Sequence, residues 1–249
     1  FPEALKKYLP QTWVIEPDTK SVPGDLPFPI IAKPNMGCRG AGVQKIYDFP
    51  SLEKYIAAFP NDDQVILQEP IEYEAEAGVF YIRHPDQDKG EIFSLTLKYF
   101  PYVYGDGQST LKQLIQNDPR AGQIKNIYLP RHKNNLNTIL GKNEPYRLSF
   151  AGAHSKGTIF KNGAPYITPA MTDFFDSLAK QIPEFYFGRF DVRFQDMSSL
   201  ETGKNMKIIE LNGVGSEATH IWDSETKLLD AYKTLFKQFE HAYAIGAKN

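Results

Sequence analysis

The most constraining feature of this chain is a pair of segments in its last third, "GRFDVRF" at 188–194 and "KIIELN" at 207–212, joined by the polar connection "QDMSSLETGKN". Regular alternation of charged and apolar residues marks a half-buried strand, because successive side chains leave opposite faces. It predicts Arg189, Asp191 and Arg193 on one face of the first strand, with Phe190 and Val192 on the other. In the second strand it sends Ile209 and Leu211 to the core and sets Glu210 and Asn212 on the polar face. Two carboxylates and an amide then converge on one spot. Hard oxygen donors of this kind are what Mg²⁺ takes up in a nucleotide site, and a cation between the acids would relieve their mutual repulsion. The competing account is a solvated face on which Arg189 and Arg193 neutralise the acids. That account does not explain why Asn212 opens the glycine-rich loop "NGVGSEATH".

A second constellation, "IIAKPNMGCRGAGV", puts Lys33 at the end of a strand beside Gly37, Gly40 and Gly42. Without side chains, backbone amides can approach phosphate oxygens closely, so a cation and free amides would face one anion. The pattern is neither a Walker loop, which needs Gly-Lys-Ser/Thr after the glycines, nor a Rossmann fingerprint opening a helix. By itself it is equally a hairpin with a glycine-loosened turn. A third, "VILQEPIEYEAEAGV", runs from an apolar strand into Gln68, Glu69, Pro70 and Ile71. Pro70 lacks an amide, which favours an irregular crossing whose remaining backbone groups can pair with an adenine edge. Glu76 can accept a ribose hydroxyl, although surface exposure alone accounts for any one of these acids.

The surrounding sequence predicts an α+β fold. Two strands flank the Gly loop, "SLEKYIAAF" follows as a helix with Ser51 as its cap, and "QVILQE" is a further strand. Residues 1–27 read as a Pro-rich lead-in, with the ordered core starting near Phe28. "EAGVFYIR" and "GEIFSLTLKYF" form a hairpin around the charged turn "HPDQDKG". Residues 116–147 hold six basic residues (Arg120, Lys125, Arg131, Lys133, Lys142, Arg147) against Asp118 and Glu144, and read as a solvated loop or as a basic lid over an anionic substrate. Helices are marked at 169–182, capped by Thr168 with Pro169 in the first turn, and at the C-terminus, where Leu228, Leu229, Tyr232, Leu235, Phe236, Phe239 and Tyr243 recur at helical spacing as a core-packing face.

Composition narrows the partners. With 41% hydrophobic and 13% aromatic content, 249 residues suffice for a large buried core. The 28 basic and 30 acidic residues nearly cancel, which argues against nucleic acid or a membrane surface as the main partner. No apolar run approaches the roughly 20 residues that span a bilayer. The single Cys38 excludes an internal disulfide framework and suits a cytoplasmic protein.

In this order, Lys33 with its Gly loop, "ILQEPI" and "GRFDVRF…IIELN" resemble the ATP-grasp superfamily over about residues 28 to 245. "YGDGQSTLKQLIQNDPRAG" and "RLSFAGAHSKGT" are similar to stretches in cyanophycin synthetases and in the ATP-grasp part of bifunctional glutathione synthetases, with D-alanine–D-alanine ligases as more distant relatives. The resemblance implies two subdomains, 1–75 and 76–249, clasping ATP between antiparallel sheets. It implies Lys33 on the ATP phosphates, backbone from Gln68 to Ile71 on adenine and Glu76 on ribose. Asp191, Glu210 and Asn212 would hold Mg²⁺, Arg189 would stabilise the transferring phosphoryl group, and Lys98 would lie near the acyl-phosphate. The expected reaction joins a small-molecule or peptide carboxylate to an amine. A kinase acting on a hydroxyl and a non-catalytic ATP-sensing module are the alternatives. The chain departs from the family pattern at Met36, Cys38 and Arg39 in the Gly loop, at His154, and after Asn212, where the usual Pro-Gly pair is missing. Relatives carry a further N-terminal substrate-binding domain, which is expected to be missing here.

Overall fold

The computed structural model describes residues 2–18, 21–36, 41–59, 63–149 and 152–248. Internal packing divides the chain into two compact units, 1–97 with 160–249, and 98–159.

Within the first unit a four-stranded sheet is built from β1 (Thr12–Ile15), β2 (Ile30–Pro34), β3 (Gln44–Ile46) and β4 (Val65–Gln68), with α1 (Phe49–Ala57) between the last two in sequence. Its order is β1-β4-β2-β3, and every neighbouring pair is antiparallel. Alternation places Ile30 and Ala32 of β2 and Val65 and Leu67 of β4 on one buried face, where Leu52, Tyr55 and Ile56 of α1 cover them. The helix starts earlier than its sequence suggests. Asp48, not Ser51, is the cap, and its Oδ1 accepts from the Ser51 amide at 2.8 Å. Order also begins before Phe28, since β1 forms the sheet edge and Leu5, in a 3₁₀ turn at Glu3–Tyr8, is fully buried in the core of the larger sheet. A four-residue strand and a six-residue 3₁₀ segment are too short for a period to mark them as part of the fold, so the amphipathic stretch from Leu5 to Leu9 reads in sequence only as a lead-in.

The second sheet begins with β5 (Ala75–Ile82) and β6 (Glu91–Tyr99). The unit 98–159 follows, with β7 (Tyr102–Tyr104), α2 (Leu111–Asn117), α3 (Lys125–Arg131) and β8 (Pro145–Arg147). Its residues 116–147 are not a solvated loop. Val103, Leu111, Ile115, Ala121, Tyr128, Leu140 and Leu148 form an apolar core of its own. Three of the six basic side chains are also built into it. Arg120 donates to the Gly157 carbonyl, Arg131 to the Leu148 carbonyl, and Arg147 to the Ser149 carbonyl while lying 3.8 Å from the Phe100 ring centre. Elements of seven residues or fewer, one interrupted by Pro130, leave no legible period.

The second sheet is completed by β9 (Ile159–Asn162), then α4 (Pro169–Ala179), β10 (Phe187–Phe194), α5 (Met197–Thr202), β11 (Met206–Asn212) and α6 (Leu228–Gly246). Strand order is β11-β10-β5-β6-β9. One face carries Val79, Tyr81, Phe190, Val192 and Ile208 against Phe175 and Leu178 of α4 and Leu200 of α5. Thr168 caps α4 as expected, its Oγ1 accepting from the Met171 amide.

A buried carboxylate pins this layer together. Asp176 of α4 accepts from Tyr81 Oη at 2.6 Å and from the Gly90 amide at 2.8 Å, and pairs with Lys180 at 2.7 Å. Burial raises its pKa, but these donors outweigh burial and hold it below the ordinary value of 3.8. A depressed folded pKa contributes stability that is fully present above the unfolded value and lost as pH falls through the folded one. Asp176→Ala should therefore cost about 2 kcal/mol at neutral pH and flatten the acid limb of a Tm-against-pH curve below about pH 4. A variant with an unchanged acid limb would remove Asp176 from that role.

The C-terminal helix forms, but not as core packing. In α6 only Gln238 and Ile245 are buried, and the apolar stripe from Leu228 to Tyr243 faces outward.

Candidate functional site

The opposite face of the second sheet carries the charged residues. β10 pairs with β5 in unbroken antiparallel register, setting Arg193 opposite Glu76, Asp191 opposite Gly78 and Arg189 opposite Phe80. On its other side β10 pairs with β11, with Arg189 opposite Asn212 and Asp191 opposite Glu210. A β-bulge then intervenes, so that Val192 lies opposite Ile208. The extra residue is Ile209. Strict alternation from the buried Met206 and Ile208 would carry Glu210 and Asn212 into the apolar core. The bulge shifts the phase and returns both to the polar face. It also corrects the expected core set, since Ile208 is buried in place of Ile209.

Arg189 is the hub of the cluster. Its Nε donates to Asp191 Oδ1 at 2.9 Å and its Nη2 to Asp191 Oδ2 at 3.3 Å, while Nη1 donates to the Glu217 carbonyl at 2.7 Å. Burial opposes the guanidinium charge, but Asp191, Glu210 and Glu217 outweigh it and hold the pKa above the ordinary arginine value. Asn212 Nδ2 donates to Asp191 Oδ2 at 3.4 Å. Gly78 leaves room for the pair, because a Cβ there would lie 3.0 Å from Arg189 Cδ and 3.1 Å from Asp191 Oδ1.

Lys33 reaches this cluster from the small sheet. Its Nζ donates to the Ile209 carbonyl at 3.1 Å, the bulged residue whose backbone is released from regular pairing. Burial lowers the Lys33 pKa, and Glu210 pulls it back upward. Two backbone carbonyls thus fix the two cations, which is why neither Ile209 nor Glu217 could be singled out from side-chain chemistry. Gly78 and Gly188 were overlooked as well, although a glycine inside a strand marks close approach of another chain segment.

The remaining candidates are placed as follows. Glu76 is buried on the same face, with Arg193 Nε 3.4 Å from its Oε2. Gln68 ends β4 and Glu69 follows it, beside the N-terminal segment. Gln68 Nε2 donates to Thr12 Oγ1 at 3.1 Å, the Glu69 amide donates to the Gln11 carbonyl at 3.0 Å, and the Gln11 amide donates to Glu69 Oε1 at 2.9 Å. Ile71 lies in the irregular stretch 69–74 that leads into β5. Gly42 occupies a left-handed turn, φ 74°, and its carbonyl accepts from Tyr55 Oη at 2.6 Å. Gly37 and Gly40 lie outside the described residues. Lys98 is buried near the end of β6 and belongs to the unit 98–159.

No protein-family model and no curated protein matches the sequence. Among solved structures, the D-alanine–D-alanine ligase from Bacillus anthracis aligns with 98% of this chain and 66% of its own, at a TM-score of 0.54 and 14% identity. A structure of that ligase complexed with ATP gives a TM-score of 0.51 at 13% identity, over 98% of this chain and 65% of that one. The fold is ATP-grasp. A bifunctional glutathione synthetase from Pasteurella multocida also matches, at a TM-score of 0.42 and 15% identity over 96% of this chain and 35% of that one. The chain thus spans just under two thirds of the D-alanine–D-alanine ligase and about a third of the synthetase.

Proposed function

We propose that the chain carries the ATP-binding and catalytic part of an ATP-dependent ligase that joins a carboxylate to an amine through an acyl-phosphate, releasing ADP and phosphate. The observation that carries this reading is the bulged β10–β11 pair, which gathers Arg189, Asp191, Glu210 and Asn212 on one face and receives Lys33 from the other sheet. A sheet face built only to meet water needs neither the bulge nor the buried Arg189.

The donor set fits Mg²⁺. Asp191 and Glu210 stand directly opposite on neighbouring strands, where Cα atoms are about 4.5–5.5 Å apart, and Asn212 adds an amide oxygen. Bound there, the ion would offset charge on the phosphate oxygens and leave positions for water. Lys33 binds phosphate oxygens as a point charge. Its lowered pKa follows from burial, and an anion arriving beside it restores the preference for the ammonium. Arg189, held on two sides by Asp191 and the Glu217 carbonyl, is already oriented when charge develops on the transferring phosphoryl group. Backbone from Gln68 to Ile71 reads adenine and Glu76 the ribose. Lys98 acts near the acyl-phosphate. The acid is a small molecule or peptide, as the names of the aligned ligases suggest, and the single cysteine suits the cytosol.

Lys33→Ala should weaken ATP binding about tenfold in a calorimetric titration, with Tm lowered by no more than about 2 °C, since the lost hydrogen bond contributes about 1 kcal/mol or less. Unchanged affinity would return the Gly loop to a plain hairpin. The reaction class is tested by supplying Mg-ATP, a panel of amino acids and short peptides as acids, and hydroxylamine as the amine. The ligase forms a hydroxamate together with ADP and phosphate. With ¹⁸O in the acid carboxylate, one label appears in the phosphate, because the attacking oxygen leaves with phosphorus. Acid-dependent ADP formation with phosphate retained on the acceptor would establish a kinase instead.

A further inference from the structure

Helix α6 has two unlike faces. Its inner edge is tied down by Gln238, whose Oε1 accepts from the Ala218 amide at 2.8 Å and whose Nε2 donates to the Ser216 carbonyl at 3.0 Å. Ile245 and His241 lie along the same edge, His241 3.0 Å from His84. The outer face presents Leu228, Leu229, Tyr232, Phe236, Phe239 and Tyr243, each between 52% and 81% exposed. Aromatic side chains carry about 150–250 Å² each, so at these exposures the four aromatics alone offer roughly 400–700 Å² of surface, to which the two leucines add. The largest apolar patch on a monomer is typically about 300–600 Å², whereas a stable dimer buries about 800 Å² on each partner.

We propose that this face is the interface with a second copy of the chain, formed by antiparallel, twofold-related packing of α6 on α6. The area available matches what a dimer needs, and the charges flanking the stripe set the direction. Lys233 and Glu240 are seven residues apart, two helical turns, and so lie on the same flank of the apolar stripe. Both are exposed, and Lys233 makes a 3.4 Å contact with Asp230 in the preceding turn. An antiparallel pairing centred midway between them sets each lysine against the glutamate of the other copy, twice over. A parallel pairing brings lysine level with lysine and glutamate level with glutamate. A twofold axis requires this self-complementarity, in which residue i meets j and j meets i.

The test is sedimentation equilibrium of the full chain across micromolar concentrations. The wild type should run at twice the chain mass, and Phe236→Asp with Phe239→Asp at the chain mass with an unchanged circular dichroism spectrum. Lys233→Glu, a surface change that leaves the apolar stripe intact, should weaken dimerisation about tenfold. Adding Glu240→Lys to it should restore the wild-type constant. A monomeric wild type overturns the proposal, and so does a double charge swap that fails to recover the loss, since any other occupant or packing direction has no reason to be rescued by it.

Discussion

Asp191→Asn should lower Mg-ATP turnover about 10³-fold and also reduce Tm by roughly 5–10 °C. The two effects have separate causes. The carboxylate belongs to the donor set proposed for the metal, and it is also the counter-charge of Arg189, whose side chain is 13% exposed. An amide in its place leaves a buried guanidinium with half of its pairing, and breaking a buried pair on one side is costly because the remaining charge stays desolvated. Glu210→Gln provides the comparison. Glu210 is exposed, so the same loss of turnover should come with a Tm within about 2 °C of wild type. If Asp191→Asn is destabilised yet keeps turnover within tenfold, Asp191 is only the partner of Arg189, and the account of a merely neutralised polar face takes over.

Gly188→Ala should strongly disrupt the β10–β11 pair. A Cβ at this position overlaps the Asn212 carbonyl oxygen and comes within 2.8 Å of the Phe185 ring. The oxygen belongs to backbone on the neighbouring strand and cannot rotate away, so β10 and β11 must move apart. We expect a loss of about 3 kcal/mol, a Tm lower by roughly 6–12 °C, and weaker Mg-ATP binding as Asn212 withdraws from Asp191. Gly213→Ala, one residue beyond Asn212, is the control, because nothing lies within 4 Å of a Cβ there and its Tm should hold within about 1 °C. A Gly188→Ala protein that melts with the wild type would show that the close strand approach is dispensable.

What could be read in advance followed from side chains in regular strands and helices. Arg189, Asp191 and Arg193 on one face, the helix capped by Thr168 and the hydrophobic Val65 and Leu67 all obey a period of 2 or 3.6. What escaped lies in backbone geometry and in short elements. The expected core position of Ile209 failed because alternation assumes one residue per partner, and a bulge breaks that count. The segment 116–147 looked like loop because seven-residue helices close a core without repeating a pattern. The stripe on α6 was read as core packing because periodicity reports that a face is to be covered and says nothing about which partner covers it. The Glu217 and Ile209 carbonyls that hold Arg189 and Lys33 have no sequence signature, since every residue except for its side chain offers the same oxygen.

The bulge has a further consequence for how this site can change. Insertions and deletions are usually tolerated in loops and resisted in strands through lost pairing, but here the extra residue is one that the ladder does not use, so its deletion would close the pairing rather than break it. Removing Ile209 would bring Ile208 next to Glu210, and regular alternation from the buried Met206 and Ile208 would still set Glu210 and Asn212 on the polar face, opposite Asp191 and Arg189. Lys33 would lose its carbonyl in the same step. What the extra residue adds is therefore the released carbonyl that Lys33 meets, so its loss would separate the anchor of the cation from the strand phase that carries the carboxylates.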